Sequence, residues 1–212
     1  GDQARLAAHN LALAEAVNRS GRAYVTPSVV KGTQLIRVSI GAEGTERRAT
    51  LLFSGSAYGA AKAAAADLAE HHGVGVELWS ATSYKALRDD ALATERWNRL
   101  HPADEPRQPL VARLLADAPG PIVTVSDFMK GTSDQIARFL PERTFVPLGT
   151  DGMGRSDTRE ALRRFFEIDA GHVAVAVLDA LRADDSASAD EVAAAIARHG
   201  IDPEAGNPAV TV

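Results

Sequence analysis

Residues 149–157 read Gly-Thr-Asp-Gly-Met-Gly-Arg-Ser-Asp and stand directly before an apolar-periodic segment. Backbone amides of a glycine-rich loop that opens a helix can hold an anion, because the first N–H groups of a helix lack partners and its dipole is positive there. Gly152 and Gly154 permit positive φ or close approach of another backbone. Asp157 and Glu160 have the spacing of a capping box with Asp in place of Ser or Thr. Asp157 would accept from an amide of the first turn, and Glu160 would reach back. The same residues also suit a tight strand-to-helix connection in which Arg155 is tied to a nearby carboxylate. The loop has no lysine, so it is no phosphate-cradling P-loop.

Other reactive types are sparse. "SGSAYG" (54–59) looks like a glycine-rich turn without the dinucleotide-binding pattern. The six histidines are scattered, and the adjacent pair His71–His72 points in two directions, so no metal site is expected. No G-x-S-x-G elbow is present, and "GTSDQ" and "GRSDT" look like helix caps. Arg37 interrupts the apolar run "LIRVSI". It is either the solvent-facing member of the alternation or a guanidinium aimed at a substrate carboxylate.

The elements that must position these residues follow from periodicity. A helix is expected over about 3–18, capped by Asp2. "RAYVTPSVV" and "TQLIRVSI" predict a β-hairpin, with Pro27 pushing the first run to an edge. From "ATLLFS" onward, strands alternate with helices, which argues for a parallel sheet with crossover helices. Strands are expected at "ATLLFS", "GVELWS", "PIVTVSD" and "TFVPLGT". Helices are expected from a Ser56 cap to Gly73, over 84–90, 93–100, 110–116 and 134–140, and through 173–181. Ser188-x-x-Glu191 predicts a further cap and Gly200 a helix end. The loop at 149–157 would then lie at the carboxyl edge of a parallel strand, where open α/β sheets bind ligands.

Composition removes several classes. The 212 residues contain no cysteine, which excludes disulfides, thiolate metal sites and a cysteine nucleophile. The net charge of −5 argues against a nucleic-acid partner. No apolar run reaches the ~20 residues of a membrane span, so no membrane association is expected, and a cytoplasmic location fits the missing cysteines. Residues 1–50 hold seven Lys/Arg against four Asp/Glu, whereas the remainder holds sixteen against twenty-four. That step is read as a seam dividing the chain into 1–47 and 48–212.

From about Arg48 onward, "LLFSGSAYGAAKAAAADLAEHHGVGVELWSATSYKAL", "ERWNRLHP", "PIVTVSDFMK" and "LGTDGMGRSDTREALRRFFEID" together resemble the homodimeric, thiamine-diphosphate-dependent pyruvate dehydrogenase, and within it the C-terminal domain. Met153 stands where that family usually has an aromatic. The resemblance implies an α/β, transketolase C-terminal-domain-like fold: a mostly parallel sheet flanked by helices, preceded here by a helix and β-hairpin. It implies thiamine diphosphate and Mg²⁺ in the parent enzyme, held by upstream domains, and no cofactor in this chain. It implies an architectural or dimerisation role, with a homodimer, other pyruvate dehydrogenase domains and the dihydrolipoyl acetyltransferase core as partners. The loop of Gly152, Gly154, Arg155, Asp157 and Glu160 then becomes a structural or interface element, with no catalytic residue in the chain. Residues of about 10–47 resemble instead the C-terminal segment of pyridoxal-phosphate-dependent group II amino-acid decarboxylases, in some of which the position of Arg37 faces the substrate carboxylate. A fusion or chimera of two sources would account for both resemblances.

Overall fold

A computed structural model describes residues 45–210, together with the strands at 24–30 and 33–40. The expected helix over 3–18 lies outside the described residues.

The chain enters the sheet as a hairpin. β1 (Tyr24–Val30) pairs antiparallel with β2 (Thr33–Ile40), with Pro27 opposite Ile36. β1 is an edge strand, which suits a residue with no N–H to donate. β2 pairs antiparallel with β4 (Val74–Ser80), matching Ile40 to Val76. β3 (Arg47–Phe53) lies parallel between β4 and β5 (Ile122–Val125), and β6 (Phe145–Leu148) closes the other edge. The order is β1-β2-β4-β3-β5-β6, so one sheet carries both sides of the position read as a seam.

Alternation along the central strands feeds two cores. Ala49 and Leu51 of β3 and Val123 and Val125 of β5 point to one face, and Leu52 and Ile122 to the other. The first face is covered by α1 (Tyr58–His72), α6 (Ala170–Ala183) and α7 (Ala189–Arg198). Alanines 60, 61, 64 and 65 let α1 lie close to the strands, and Leu68 fills the remaining space. The second face is covered by α2 (Tyr84–Leu100) and α3 (Leu110–Leu114), with Ile136, Phe139 and Leu140 beyond α4 (Lys130–Asp134). α5 (Arg159–Phe165) follows β6 and leads into α6.

Local chemistry explains where the helices differ from expectation. The stretches 84–90 and 93–100 are one helix, capped by the Ser83 hydroxyl accepting from Ala86 N at 3.1 Å. Asp90, where the first stretch was expected to end, accepts from Leu110 N at 2.7 Å and so supports the next helix. The helix expected over 134–140 is instead the short α4 followed by a 3-10 turn at Ala137–Phe139. Ser56 does not cap α1. It lies inside a 3-10 turn, Gly55–Ala57, and its hydroxyl donates to Asp127 at 3.1 Å. Gly73 does end α1, at φ +59°. Ser188 caps α7 through Glu191 N at 3.1 Å. Past the other end of α7, Gly200 N and Ile201 N return to Ala197 O and Ile196 O, the two bonds of a Schellman motif.

Candidate functional site at the carboxyl edge of the sheet

The parallel strands β3, β5 and β6 deliver three loops to one edge: 54–58, 126–130 and 149–158. In sequence order, β3 connects outward to β4 on one side and β5 lies on the other. The edge between β3 and β5 is therefore a switch point of the sheet, the position where open α/β sheets hold ligands.

The three loops are stitched mainly by backbone. Thr150 N donates to Phe128 O at 2.9 Å, and Thr150 Oγ1 donates to Asp127 O at 2.9 Å. Lys130 N donates to Asp151 Oδ2 at 3.3 Å. A Cβ on Gly149 would stand 2.4 Å from Phe128 O, so only glycine lets these backbones meet. Gly152 has φ +104°, and a Cβ there would stand 2.2 Å from Pro208 O. The loop is thus pinned between the turn after β5 and the C-terminal segment. Gly154 meets no such limit, since a Cβ there would have open space.

The cap differs from the expected box by one residue. Thr158 is the N-cap of α5, its hydroxyl accepting from Ala161 N at 3.2 Å, and Asp157 accepts from Thr158 N at 2.7 Å. Glu160 occupies the exposed first turn, where an acid suits the dipole, without reaching back to the cap. Arg155 is not tied to a carboxylate; its guanidinium lies over the Phe165 ring at 4.1 Å. Arg163 Nη2 donates to Ser56 O at 2.9 Å and brings α5 against the turn after β3. Arg37 lies in β2, opposite Thr26, and its side chain is outside the described residues.

The residues that the sequence reading missed are Asp127 and its neighbours. Asp127 joins the turn after β3 to the strand β5, and the only signal for it was an acid directly after the apolar run "PIVTVS". Among the described residues, no group of three His, Cys, Asp or Glu could hold a metal ion. Asp127 and Asp151 already accept from Ser56 and from a backbone amide. Both carboxylates thus help to join the loops of this edge.

Ionisable groups cluster away from this edge, where the helices are tied down. Burial raises the Asp169 carboxyl, but the hydrogen bonds from the His172 ring and backbone, with Arg164, outweigh it and hold it down to about 2. Burial likewise opposes, and Arg198 with His199 overcomes, in lowering Asp67. Arg47 and His72 do the same for Glu191. Each of these groups ties one element to another.

Residues 38–169 match the transketolase-like TK C-terminal domain family. The chain belongs to that family. This transketolase C-terminal domain has curated relatives, each called pyruvate dehydrogenase E1 component. It is 41% identical to that of Pseudomonas aeruginosa over 191 residues, covering 87% of this chain and 22% of the relative. It is 42% identical to that of Escherichia coli K12 over 166 residues, covering 78% and 18%. It is 40% identical to that of Mycolicibacterium smegmatis over 175 residues, covering 82% and 18%. The chain thus spans about a fifth of the length of these relatives. A solved structure described as a split gene transketolase, inactive beta4 tetramer, is similar at TM-score 0.44 and 20% identity, over 64% of this chain and 40% of that one. The resemblance read from the sequence begins near residue 48. The family match begins at 38, and the Pseudomonas match is longer than the residues after 47 can supply, so the similarity reaches into the hairpin. No described helix is long and apolar enough to cross a membrane.

Proposed function

We propose that this chain is the C-terminal domain of a pyruvate dehydrogenase E1 component, with an architectural and dimerisation role. The parent reaction is oxidative decarboxylation of pyruvate, with acetyl transfer to a lipoyl group of the dihydrolipoyl acetyltransferase core, in the cytoplasm. Thiamine diphosphate and Mg²⁺ belong to the remaining four-fifths of the parent polypeptide. The observation that carries this reading is the 41% identity over 191 residues to a relative of which the chain matches only 22%. The geometry of the carboxyl edge supports it. The glycines there admit backbones, Thr158 caps a helix, and Asp127 and Asp151 hold loops together. These are the tasks of a scaffold.

Calorimetric titration of the purified chain with thiamine diphosphate and Mg²⁺, alongside a pyruvate turnover assay, tests the reading. No binding heat and no turnover are expected. Micromolar affinity for the coenzyme or acetyl transfer by this chain alone overturns the scaffold assignment.

A further inference from the structure

The 212 residues contain two methionines and no cysteine. Methionine is ordinarily a core residue, used to fill irregular gaps. Here both stand in water, Met129 at 60% exposure and Met153 at 68%. Met129 lies in the loop after β5 and Met153 in the loop after β6, so both belong to the carboxyl edge. Neither is among the described residues that pack into the two cores.

The backbone holds them there. On one side of Met129, Phe128 O accepts from Thr150 N at 2.9 Å, and on the other, Lys130 N donates to Asp151 Oδ2 at 3.3 Å. Met129 O itself accepts from Thr132 N at 2.9 Å, at the start of α4. Turning Met129 inward would break these bonds. Met153 follows Gly152, whose backbone is pressed against Pro208 O too closely to admit a Cβ. The same bonds join the two loops, so the two sulfurs share one surface. A thioether in water is open to two-electron oxidants, and with no thiol in the chain nothing competes for them. We propose that Met129 and Met153 form a paired, reversible oxidation site at the carboxyl edge, with hydrogen peroxide as the oxidant. At each residue the peroxide O–O bond breaks, one oxygen forms the S=O bond, and the other leaves as water. The sulfur loses two electrons and the peroxide gains them. A dithiol acting through a methionine sulfoxide reductase returns two electrons and releases the oxygen as water. The sulfoxide is polar where the thioether was apolar, so oxidation changes the character of this edge. The fold is left alone, because neither side chain fills a core.

Peroxide treatment of the 212-residue chain, followed by peptide mass spectrometry over time, tests it. Free methionine in the same tube sets the scale. Both residues are expected to gain one oxygen at rates within about fivefold of free methionine. The doubly oxidised chain should melt at the same temperature as the untreated one. It should also elute earlier from a hydrophobic-interaction column run on the folded protein. Methionine sulfoxide reductase with dithiothreitol should restore both residues and the original elution. Oxidation of either residue slower than that range overturns the proposal, because the sulfur is then shielded. Slowing as the chain is concentrated overturns it too, since copies of the chain then cover the edge. A lowered melting temperature after oxidation shows that the thioethers hold the fold, and unchanged elution shows that the edge keeps its character. Either result removes the site as described. Met129→Leu and Met153→Leu, made singly, should each leave the rate at the remaining methionine unchanged, and a severalfold change there overturns the view that each sulfur is freely exposed.

Discussion

Arg47 and Glu191 stand 144 positions apart and meet in a two-pronged ion pair, Arg47 Nη1 lying 3.0 Å from Oε1 and 2.8 Å from Oε2. The same guanidinium donates to the carbonyl of His72, whose ring nitrogen Nδ1 lies 3.3 Å from Glu191 Oε1. One arginine at the start of β3 thus fastens the end of α1 to the first turn of α7. Glu191 serves this tie instead of returning to Ser188, so half of the capping box is spent on tertiary structure. Arg47→Met removes three donated bonds from a partly buried site and should destabilise the chain by about 1–2 kcal/mol. Urea unfolding checks it, and an unchanged midpoint would show the tie to be dispensable.

Acid should loosen the helical layer in a defined window. Asp169 caps α6 by accepting from His172 N at 2.9 Å, and Arg164 and the His172 ring also hold its ionised form. Its folded value of about 2 lies below the ordinary 3.8, so the native state binds its proton later than the unfolded chain. Its contribution to stability is present above the ordinary value and is lost as pH falls from there through about 2. Asp169→Asn keeps a capping oxygen and removes the titration. The variant should lose less stability than the wild type between those two values, read as the shift of urea midpoint with pH. Parallel acid limbs in the two proteins would refute the assignment.

The elements best read from sequence are those whose signal is local. The β5 run "IVTV" has no polar alternation because both of its faces are covered, and Gly73 ends α1 because its backbone adopts φ +59°. What sequence left unread depends on partners distant in the chain. Nothing local to Asp90 shows that it accepts from Leu110 N, 20 positions later. Ser56 looks like a cap until Asp127, 71 positions later, takes its hydroxyl. The charge step near residue 47 is visible in composition, but composition says nothing of pairing, and β2 joins β4 across it. At the carboxyl edge Gly152 was legible as a close approach, whereas Gly154, read the same way, meets open space.

The start of α5 can be decided by two substitutions. Thr158 accepts from Ala161 N, while Asp157 accepts only from its neighbour Thr158 N. Thr158→Ala should therefore cost about 1 kcal/mol, the typical loss of an N-cap. Asp157→Ala should stay within about 0.5 kcal/mol, as a surface change away from a cap does. Chemical denaturation of both variants reads the difference. A larger loss at Asp157 would return the cap to the position that the capping-box spacing favours.

Gly152 and Gly154 look alike in sequence and should behave oppositely. At Gly152 the backbone has φ +104°, and a Cβ would overlap Pro208 O at 2.2 Å. Both penalties are unavoidable, since the obstacle is backbone and the conformation is rare for any residue with a side chain. Gly152→Ala should push the loop away from residues 208–210 and expose both to solvent. Amide exchange at Met153 and Ala209 should speed up, with a smaller effect in the α1 core, because opening at an edge need not involve global unfolding. At Gly154 a Cβ meets open space, so Gly154→Ala should leave exchange unchanged and stability within about 0.5 kcal/mol. If instead Gly152→Ala is silent and Gly154→Ala is disruptive, the contact between this loop and the C-terminal segment is not what fixes the edge.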